Sequence, residues 1–408
     1  MNDPVVIVSA ARTPMGGFQG ELSSLTSPQL GAVAIAAAVE RAGLSATQVE
    51  EVIMGCVLPA GVGQAPARQA ALGAGLPLAA GCTTINKVCG SGMKATMLAH
   101  DLLLAGTNRV MIAGGMESMS NAPYLLPKAR GGYRLGHGQT LDHMFFDGLE
   151  DRYSPETLGR LMGTFAEDCA THYEFTREAQ DAFAIASTTR AQDAINGTGF
   201  DWEVAPVTVS GRGGEVVVAR DEQPLKARLD KIGTLKPAFA RDGTVTPANS
   251  SSISDGAAAL TLMRRATAES LGLTPIATIV GHATHAQAPR WFTTAPVGAV
   301  RALLGRIGWQ REQVDLWEIN EAFAVVAMAA MHELEAAHRL VEARPLVEIL
   351  GGDMSALASL RASIDRIIDE RRARFIVCRF CGAETPPEWA HGGDTCDACA
   401  ERHLGVVH

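Results

Sequence analysis

Short apolar runs alternate with segments of helical spacing in the first third of the chain. Residues 5–9, 52–58 and 110–114 are almost entirely apolar, which is typical of strands buried on both faces of a sheet. Gln29–Gly43 is Ala-rich with helical spacing, and Met93–Ala105 predicts a helix that stops at the following glycine. This alternation predicts a parallel or mixed sheet covered by helices.

Residues 123–248 differ in character from the segments on either side. Residues 124–140 are loop-like, residues 176–195 predict a helix capped by Thr176, and residues 206–222 predict a hairpin. We therefore expect an insertion between two core segments. Long insertions of this kind often carry substrate contacts.

An internal repeat links the two halves of the chain. The segment RAGLSATQVE at residues 41–50 matches RIGWQREQVD at residues 306–315, and a short apolar run follows each copy. Two distant copies of one helix–loop–strand unit predict a duplicated fold. The alternative is a chance similarity between two helix ends.

Length, composition and charge narrow the class of protein. A chain of 408 residues with only 5% aromatic residues suggests an α/β enzyme of two or three domains. The formal net charge of -9 argues against nucleic-acid binding by the whole chain. The sequence shows no signal-peptide pattern and no apolar stretch of membrane-spanning length, so we expect a cytoplasmic protein without membrane association.

The segment INKVCGSGMKA places Cys89 immediately before a predicted helix. The positive end of a helix dipole lowers the pKa of a thiol, and the glycines at positions 90 and 92 let backbone N–H groups approach an oxyanion. We therefore interpret Cys89 as an activated nucleophile for acyl transfer. A buried structural thiol is the alternative.

Four segments in fixed order extend this interpretation: NKVCGSGMKA, AGGMESMS, GTVTPANSSSISDGAAAL and NEAFA. Together they closely resemble the thiolase family, the acetyl-CoA acyltransferases, up to about Glu335. The resemblance implies a duplicated α/β/α/β/α layered fold with an inserted loop domain. It assigns 1–122 and 249–275 to the N-terminal half, 123–248 to the loop domain and 276–335 to an incomplete C-terminal half.

The same resemblance implies roles for four residues. Cys89 would attack a 3-ketoacyl-CoA, release acetyl-CoA and hold the shortened acyl group, or carry acetyl in the condensing direction. Asn320 would orient a water in an oxyanion hole, Ser251 would contact the pantetheine of CoA, and Met162 would line the pantetheine tunnel. Acyl-CoA and CoA are then the partners, no catalytic cofactor is needed, and a homo-oligomer is implied.

Several positions keep alternatives open. Asn320 and Ser251 also suit turn or helix-cap positions. Many relatives have His-Met-Gly where this chain has Leu161-Met162-Gly163, so a broader 3-ketoacyl specificity fits as well as acetoacetyl-CoA. We assign no role to the loop histidines at positions 137 and 143.

The family pattern stops after NEAFA. Thiolases carry a Gly-His-Pro segment, whose histidine activates the nucleophile, and a later Cys-x-Gly segment, and neither is recognisable in this chain. His332 and His338 lie at the wrong distance in sequence. We therefore expect sharply reduced or absent turnover. A non-catalytic acyl-CoA-binding or zinc-dependent interaction protein is the alternative.

Residues 336–408 predict a different kind of module. Apolar spacing over 355–375 predicts an amphipathic helix. Two C-x-x-C pairs then resemble a zinc ribbon, with structural zinc held by Cys378, Cys381, Cys396 and Cys399. Four free thiols, or replacement of the second thiolase cysteine by the first pair, are the alternatives. The tail is acidic, so nucleic-acid binding is not expected.

Overall fold

The structure is a computed structural model that describes residues 3–211 and 213–334, and the backbone of four two-residue strands further on. The helices are α1 Ser27–Arg41, α2 Pro66–Gly73, α3 Ser91–Ala105, α4 Met162–His172, α5 Arg177–Asn196, α6 Glu222–Lys226, α7 Arg265–Ser270, α8 Ala295–Ile307 and α9 Ala324–Glu333. The strands are β1 Val5–Arg12, β2 Gly16–Gly17, β3 Glu51–Gly55, β4 Gly81–Ile85, β5 Val110–Ser118, β6 Tyr124–Leu125, β7 Leu141–Asp142, β8 Val207–Gly211, β9 Gly214–Val218, β10 Ser254–Arg264, β11 Ala277–Thr278, β12 Ile376–Val377, β13 Glu384–Thr385, β14 Ala390–His391 and β15 Thr395–Cys396.

A mixed sheet forms the centre of the described chain, as expected. Its strand order is β11-β1-β10-β5-β3-β4, with β2 paired to β10. Strand β3 runs parallel to β4 and β5, whereas β10 runs antiparallel to both β1 and β5. Strand β10 therefore joins the segments before and after the insertion into one sheet.

Both faces of this sheet are buried, because consecutive strand residues point to opposite faces. On one face, α1 and α2 pack against the sheet, and the buried strand residues include Val6, Met54, Ile112 and Met263. On the other face, α3 packs against the sheet through Ala95, Ala99 and Leu103, and the buried strand residues are Val5, Ile53, Met111, Ala113 and Leu262. This explains the continuous apolar runs, and it confirms an α/β fold with helices on both faces of the sheet.

Several local predictions are confirmed. Helix α3 ends at Gly106, which has a left-handed φ of 73°. The Oγ1 of Thr176 accepts a hydrogen bond from the N–H of Ala179 at 3.2 Å, so Thr176 caps α5. Strands β8 and β9 form the expected antiparallel hairpin.

The internal repeat is confirmed in part. In both copies a helix leads to a left-handed glycine, Gly43 (φ 66°) or Gly308 (φ 72°), and then to a 3₁₀ turn at Ala46–Gln48 or Arg311–Gln313. The first copy continues into β3, but the apolar run after the second copy is not a strand in the described chain. A strand needs hydrogen-bonded neighbours. Strand β3 has β4 and β5, whereas no described strand pairs with residues 316–321.

Arg12, at the end of β1, forms ion pairs with two carboxylates of the inserted segment. Its guanidinium donates to both carboxylate oxygens of Asp221, at 2.6 and 3.0 Å, and also bonds to Glu203. The backbone supports this contact, because the N–H of Ala205 donates to the Arg12 carbonyl at 2.7 Å. Asp221 is almost fully buried, and removing one partner of a buried pair costs about 3–5 kcal/mol.

Two other expectations were that no segment spans a membrane and that the tail contains an amphipathic helix. None of the helices in the described ranges has the length and apolar character needed to cross a bilayer. The amphipathic helix expected over 355–375 lies outside the described residues.

Candidate active site

Cys89 lies in a tight turn between β4 and the first residue of α3. The turn contains Val88, which has a φ of +46°. This conformation is rare for a β-branched residue and costs about 1–3 kcal/mol. The Oδ1 of Asn86 accepts from the Val88 N–H at 2.8 Å, and the Oγ of Ser91 donates to the Val88 carbonyl at 2.6 Å. These bonds hold the strained turn that presents Cys89.

The beginning of α3 approaches the end of β3 closely because Gly55 has no side chain. A Cβ added at Gly55 would lie 2.5 Å from the Cβ of Ser91 and 2.8 Å from its carbonyl carbon. The N–H of Lys94 donates to the Gly90 carbonyl at 2.9 Å, so the N–H groups of residues 92 and 93 belong to the first helical turn. N–H groups in that turn lack helical acceptors and can stabilise an anion.

A cleft of about 320 Å³ opens beside this turn. Cys89 and Glu117 supply its thiol and carboxylate groups, and most of the other lining side chains are apolar: Val57, Leu58, Met116, Met119, Met144 and Leu149. An apolar cleft with a few polar groups suits a small organic substrate. Glu117 lies in AGGMESMS, one of the four segments that carry the family resemblance. We assigned no role to this residue from the sequence.

Glu117 is held at the wall of the cleft by backbone donors. Its carboxylate accepts hydrogen bonds from the N–H groups of Val57 at 2.7 Å and Leu58 at 3.1 Å. Burial nevertheless raises the pKa of Glu117, and the two backbone hydrogen bonds only partly oppose this effect.

The thiol of Cys89 is not activated in the way the sequence suggested. We expected the helix dipole to lower its pKa. Cys89 is an exposed residue, yet desolvation by the atoms around its thiol raises its pKa, a backbone hydrogen bond opposes the rise, and the charge of Glu117 adds to it. Desolvation and a neighbouring carboxylate therefore oppose the effect expected from the helix terminus.

His143 lies next to the cleft residue Met144 and is buried. Its Nδ1 lies 2.6 Å from the carboxylate of Asp147, and its Nε2 accepts from the N–H of Ala60 at 3.4 Å. Both ring nitrogens therefore have partners, which holds the imidazole in one orientation. We assigned no role to His143 from the sequence pattern. Its contacts show a buried side chain held in one orientation rather than a solvated loop histidine.

The other three predicted site residues are Asn320, Ser251 and Met162, and they lie in or near the loop before α9. Asn320 is exposed in the loop before α9, and the N–H of Ser251 donates to the Ala322 carbonyl of the same loop at 2.9 Å. Met162 packs in one apolar cluster with Ile319 and Ala322. The structure thus places Ser251 against the loop that carries Asn320, and Met162 in the apolar cluster that includes two residues of that loop. None of the three lines the cleft that contains Cys89.

The predicted zinc ligands lie almost entirely outside the described residues. Only the backbone of Cys396 is described, in β15, which pairs with β14. Strands β12 and β13 pair on either side of residues 378–383, which include the first C-x-x-C. Nothing in these backbone pairings tests the four thiolate ligands.

Comparisons with known proteins identify the family. The profile "Thiolase, N-terminal domain" matches residues 5–266, and "Thiolase, C-terminal domain" matches residues 273–368. The chain belongs to the thiolase family. The C-terminal match extends beyond residue 335, the expected end of the resemblance, so thiolase-like sequence continues into part of the tail.

Named thiolase relatives cover most of the chain. "Acetyl-CoA acetyltransferase 1" of Arabidopsis thaliana is 53% identical over 328 residues, 80% of this chain and 78% of its own length. "Acetyl-CoA acetyltransferase" of Cupriavidus necator is 48% identical over 332 residues, 81% of this chain and 84% of its own. "Acetyl-CoA acetyltransferase B, mitochondrial" of Xenopus laevis is 46% identical over 384 residues, 92% of this chain and 89% of its own length.

Proposed function

We propose that this chain is a thiolase-type acyl-CoA C-acyltransferase that forms a covalent acyl intermediate on Cys89. The observation that carries the proposal is the strained turn that presents Cys89 at the first turn of α3, beside an apolar cleft. The names of the relatives support acetyl-CoA as a substrate. Leu161 in place of the family's histidine also admits longer 3-ketoacyl chains.

In thiolysis, the Cys89 thiol loses its proton and its sulfur bonds to the C3 carbonyl carbon of the 3-ketoacyl-CoA, while the C=O π electrons move to the oxygen. The C=O bond then reforms as the C2–C3 bond breaks, the electron pair of that bond stays on C2, and a proton taken up at C2 balances the one lost by Cys89 and releases acetyl-CoA. The thiol of free CoA next loses its proton and attacks the Cys89 thioester, and the Cys89 thiolate leaves and takes up a proton. Backbone N–H groups in the first turn of α3 would stabilise the negative oxygen of each tetrahedral intermediate.

Asn320, Ser251 and Met162 complete this proposal. Asn320 would orient a water that stabilises the enolate oxygen, while Ser251 and Met162 would contact the pantetheine. The contact of Ser251 with the loop that carries Asn320, and the packing of Met162 in the apolar cluster that includes Ala322 of that loop, support a shared site for these three residues. CoA is a substrate here, and the reaction needs no catalytic cofactor.

The raised pKa of the proposed nucleophile supports impaired turnover. The pKa of Cys89 is raised by desolvation and by Glu117, and the family's Gly-His-Pro histidine is not recognisable in the sequence. General-base assistance typically contributes about 10²–10⁴-fold to a rate. The second candidate function is therefore acyl-CoA binding without turnover, on the same scaffold.

Acyl transfer to the protein separates the two functions. Purified protein is mixed with acetoacetyl-CoA, and mass spectrometry of the peptide that contains Cys89 measures the acetyl adduct, followed by thiolysis on addition of CoA. We expect the adduct in the unaltered chain and in Cys82→Ala, a half-buried thiol on β4, but not in Cys89→Ala. Binding of acyl-CoA without any adduct on Cys89 would support the second function and overturn the first.

We also propose a structural zinc in the tail, with Cys378, Cys381, Cys396 and Cys399 as ligands. Four thiolates close a tetrahedral site, which suits folding rather than catalysis. Residues 123–248 would act as the loop domain, and the zinc module would follow the thiolase-like part. Cytoplasmic location and homo-oligomerisation complete the proposal. Zinc analysis and light scattering of the purified chain test the zinc and the oligomer.

A further inference from the structure

A cluster of two imidazoles and one carboxylate lies outside the cleft that contains Cys89. His100 and Asp101 lie near the end of α3, and His282 follows β11. One ligand atom from each of the three residues lies within 4.8 Å of the other two. Residues almost two hundred positions apart are therefore gathered into one compact donor set.

The distances inside the cluster resemble those between ligands of one metal ion. The Oδ1 of Asp101 lies 3.1 Å from the Nδ1 of His100 and 2.8 Å from the Nε2 of His282. Tetrahedral zinc with bonds of about 2.0–2.1 Å holds its ligand atoms about 3.3 Å apart. Two of the three separations therefore differ from that spacing by a few tenths of an ångström, and the third lies within 4.8 Å.

The three side chains are also largely held in position. His100 is buried, and its ring lies edge-on to the ring of His282, with centroids 5.1 Å apart. The guanidinium of Arg306 donates to the backbone carbonyl of His282 at 2.6 Å, which fixes the loop. Little side-chain freedom would be lost on binding an ion.

Solvent reaches the cluster from the side of Asp101, whose side chain is 53% exposed. A metal ion could enter there, and a water could complete its coordination. A carboxylate oxygen and an imidazole nitrogen are both ordinary ligands of such an ion.

We propose that His100, Asp101 and His282 form a site for a divalent transition-metal ion of the zinc class. Two imidazoles and one carboxylate favour zinc, cobalt, nickel or copper over magnesium and calcium, which prefer all-oxygen sites. The bound ion joins α3 to the segment after β11. It therefore links the region matched by the N-terminal thiolase domain to the region matched by the C-terminal one.

Cobalt counting on the full-length protein tests this site. Chains are saturated with Co²⁺ and gel-filtered, and the bound metal per chain is measured by elemental analysis. His282→Gln is compared with His285→Gln, an exposed histidine of the same loop that bonds to Gln287. Because both variants keep all four tail cysteines, a difference between them excludes binding in the tail.

We expect the unaltered chain and His285→Gln to bind one more Co²⁺ per chain than His282→Gln. Asp101→Asn, which keeps the size of an exposed side chain, should lose the same ion and melt at the same temperature as the unaltered chain without metal. The extra ion should lack thiolate charge-transfer absorption. Equal cobalt counts in the unaltered chain and His282→Gln, or an extra ion with thiolate absorption, would overturn the proposal.

Discussion

Replacing Gly55 by alanine tests how the turn at Cys89 is held in position. The added Cβ would lie 2.5 Å from the Cβ of Ser91 and 2.9 Å from the backbone nitrogen of Gly92. Carbon atoms in ordinary contact lie about 3.5–4.0 Å apart. The beginning of α3 must therefore move by about 1 Å relative to β3. Ser91 moves with it, and its hydrogen bonds to Lys87 and Val88 hold the turn.

This displacement predicts two separate losses. Overpacking of a close contact costs about 1–3 kcal/mol, so the melting temperature should fall. Displacement of a reacting group by about 1 Å can cost about 10²-fold in rate, so acetylation of Cys89 by acetoacetyl-CoA should slow by a similar factor. Partial unfolding at 25 °C would lower the observed rate only in proportion to the unfolded fraction. A rate loss larger than that fraction therefore reports on the geometry of the turn.

Calorimetry measures the first loss, and rapid-quench mass spectrometry of the acetyl adduct measures the second. Gly305→Ala on α8 is the matched control, because no atom lies within 4 Å of an added Cβ there. We expect it to be neutral or stabilising by up to about 1 kcal/mol. If Gly55→Ala melts and acetylates as Gly305→Ala does, the close approach of α3 does not position Cys89.

Two further predictions follow from pKa shifts. Glu117→Gln removes a charge that raises the pKa of Cys89, so iodoacetamide should alkylate Cys89 faster at pH 8. An unchanged rate–pH profile would contradict this role of Glu117. Burial, a hydrogen bond to Glu333 and its charge raise the pKa of Tyr173 to about 12 from 10.0. The stability contributed by this phenol is present below about pH 10 and is lost as the pH rises toward 12. Ultraviolet titration should show a lower pKa in Glu333→Gln, and an unchanged midpoint would refute the assignment.

Local sequence signals predicted much of the sheet and its helices. The apolar runs at β1, β3 and β5 are continuous because helices cover both faces, and a pattern of that kind survives in sequence. The glycine at position 106 and the threonine at position 176 act on their own helices. Such features depend on neighbouring residues only, so the sequence was sufficient to predict them.

Features that need distant partners were not predictable in the same way. The apolar run after the second repeat copy has the pattern of a strand, but pairing decides whether a strand forms. The pKa of Cys89 depends on Glu117, which comes from β5. His282 meets Asp101 only because the fold brings the segment after β11 to the end of α3. In each case the deciding contact is made by another element of the fold.

The central position of β10 also affects synthesis of the chain. Strand β10 pairs with both β1 and β5, yet the whole segment 119–253 is translated between β5 and β10. At about 5–20 residues per second this segment takes roughly 7–27 s to make. During that interval β1 and β5 have emerged without the strand that joins them. Their apolar residues and unpaired edges are then open to nascent-chain chaperones and to aggregation.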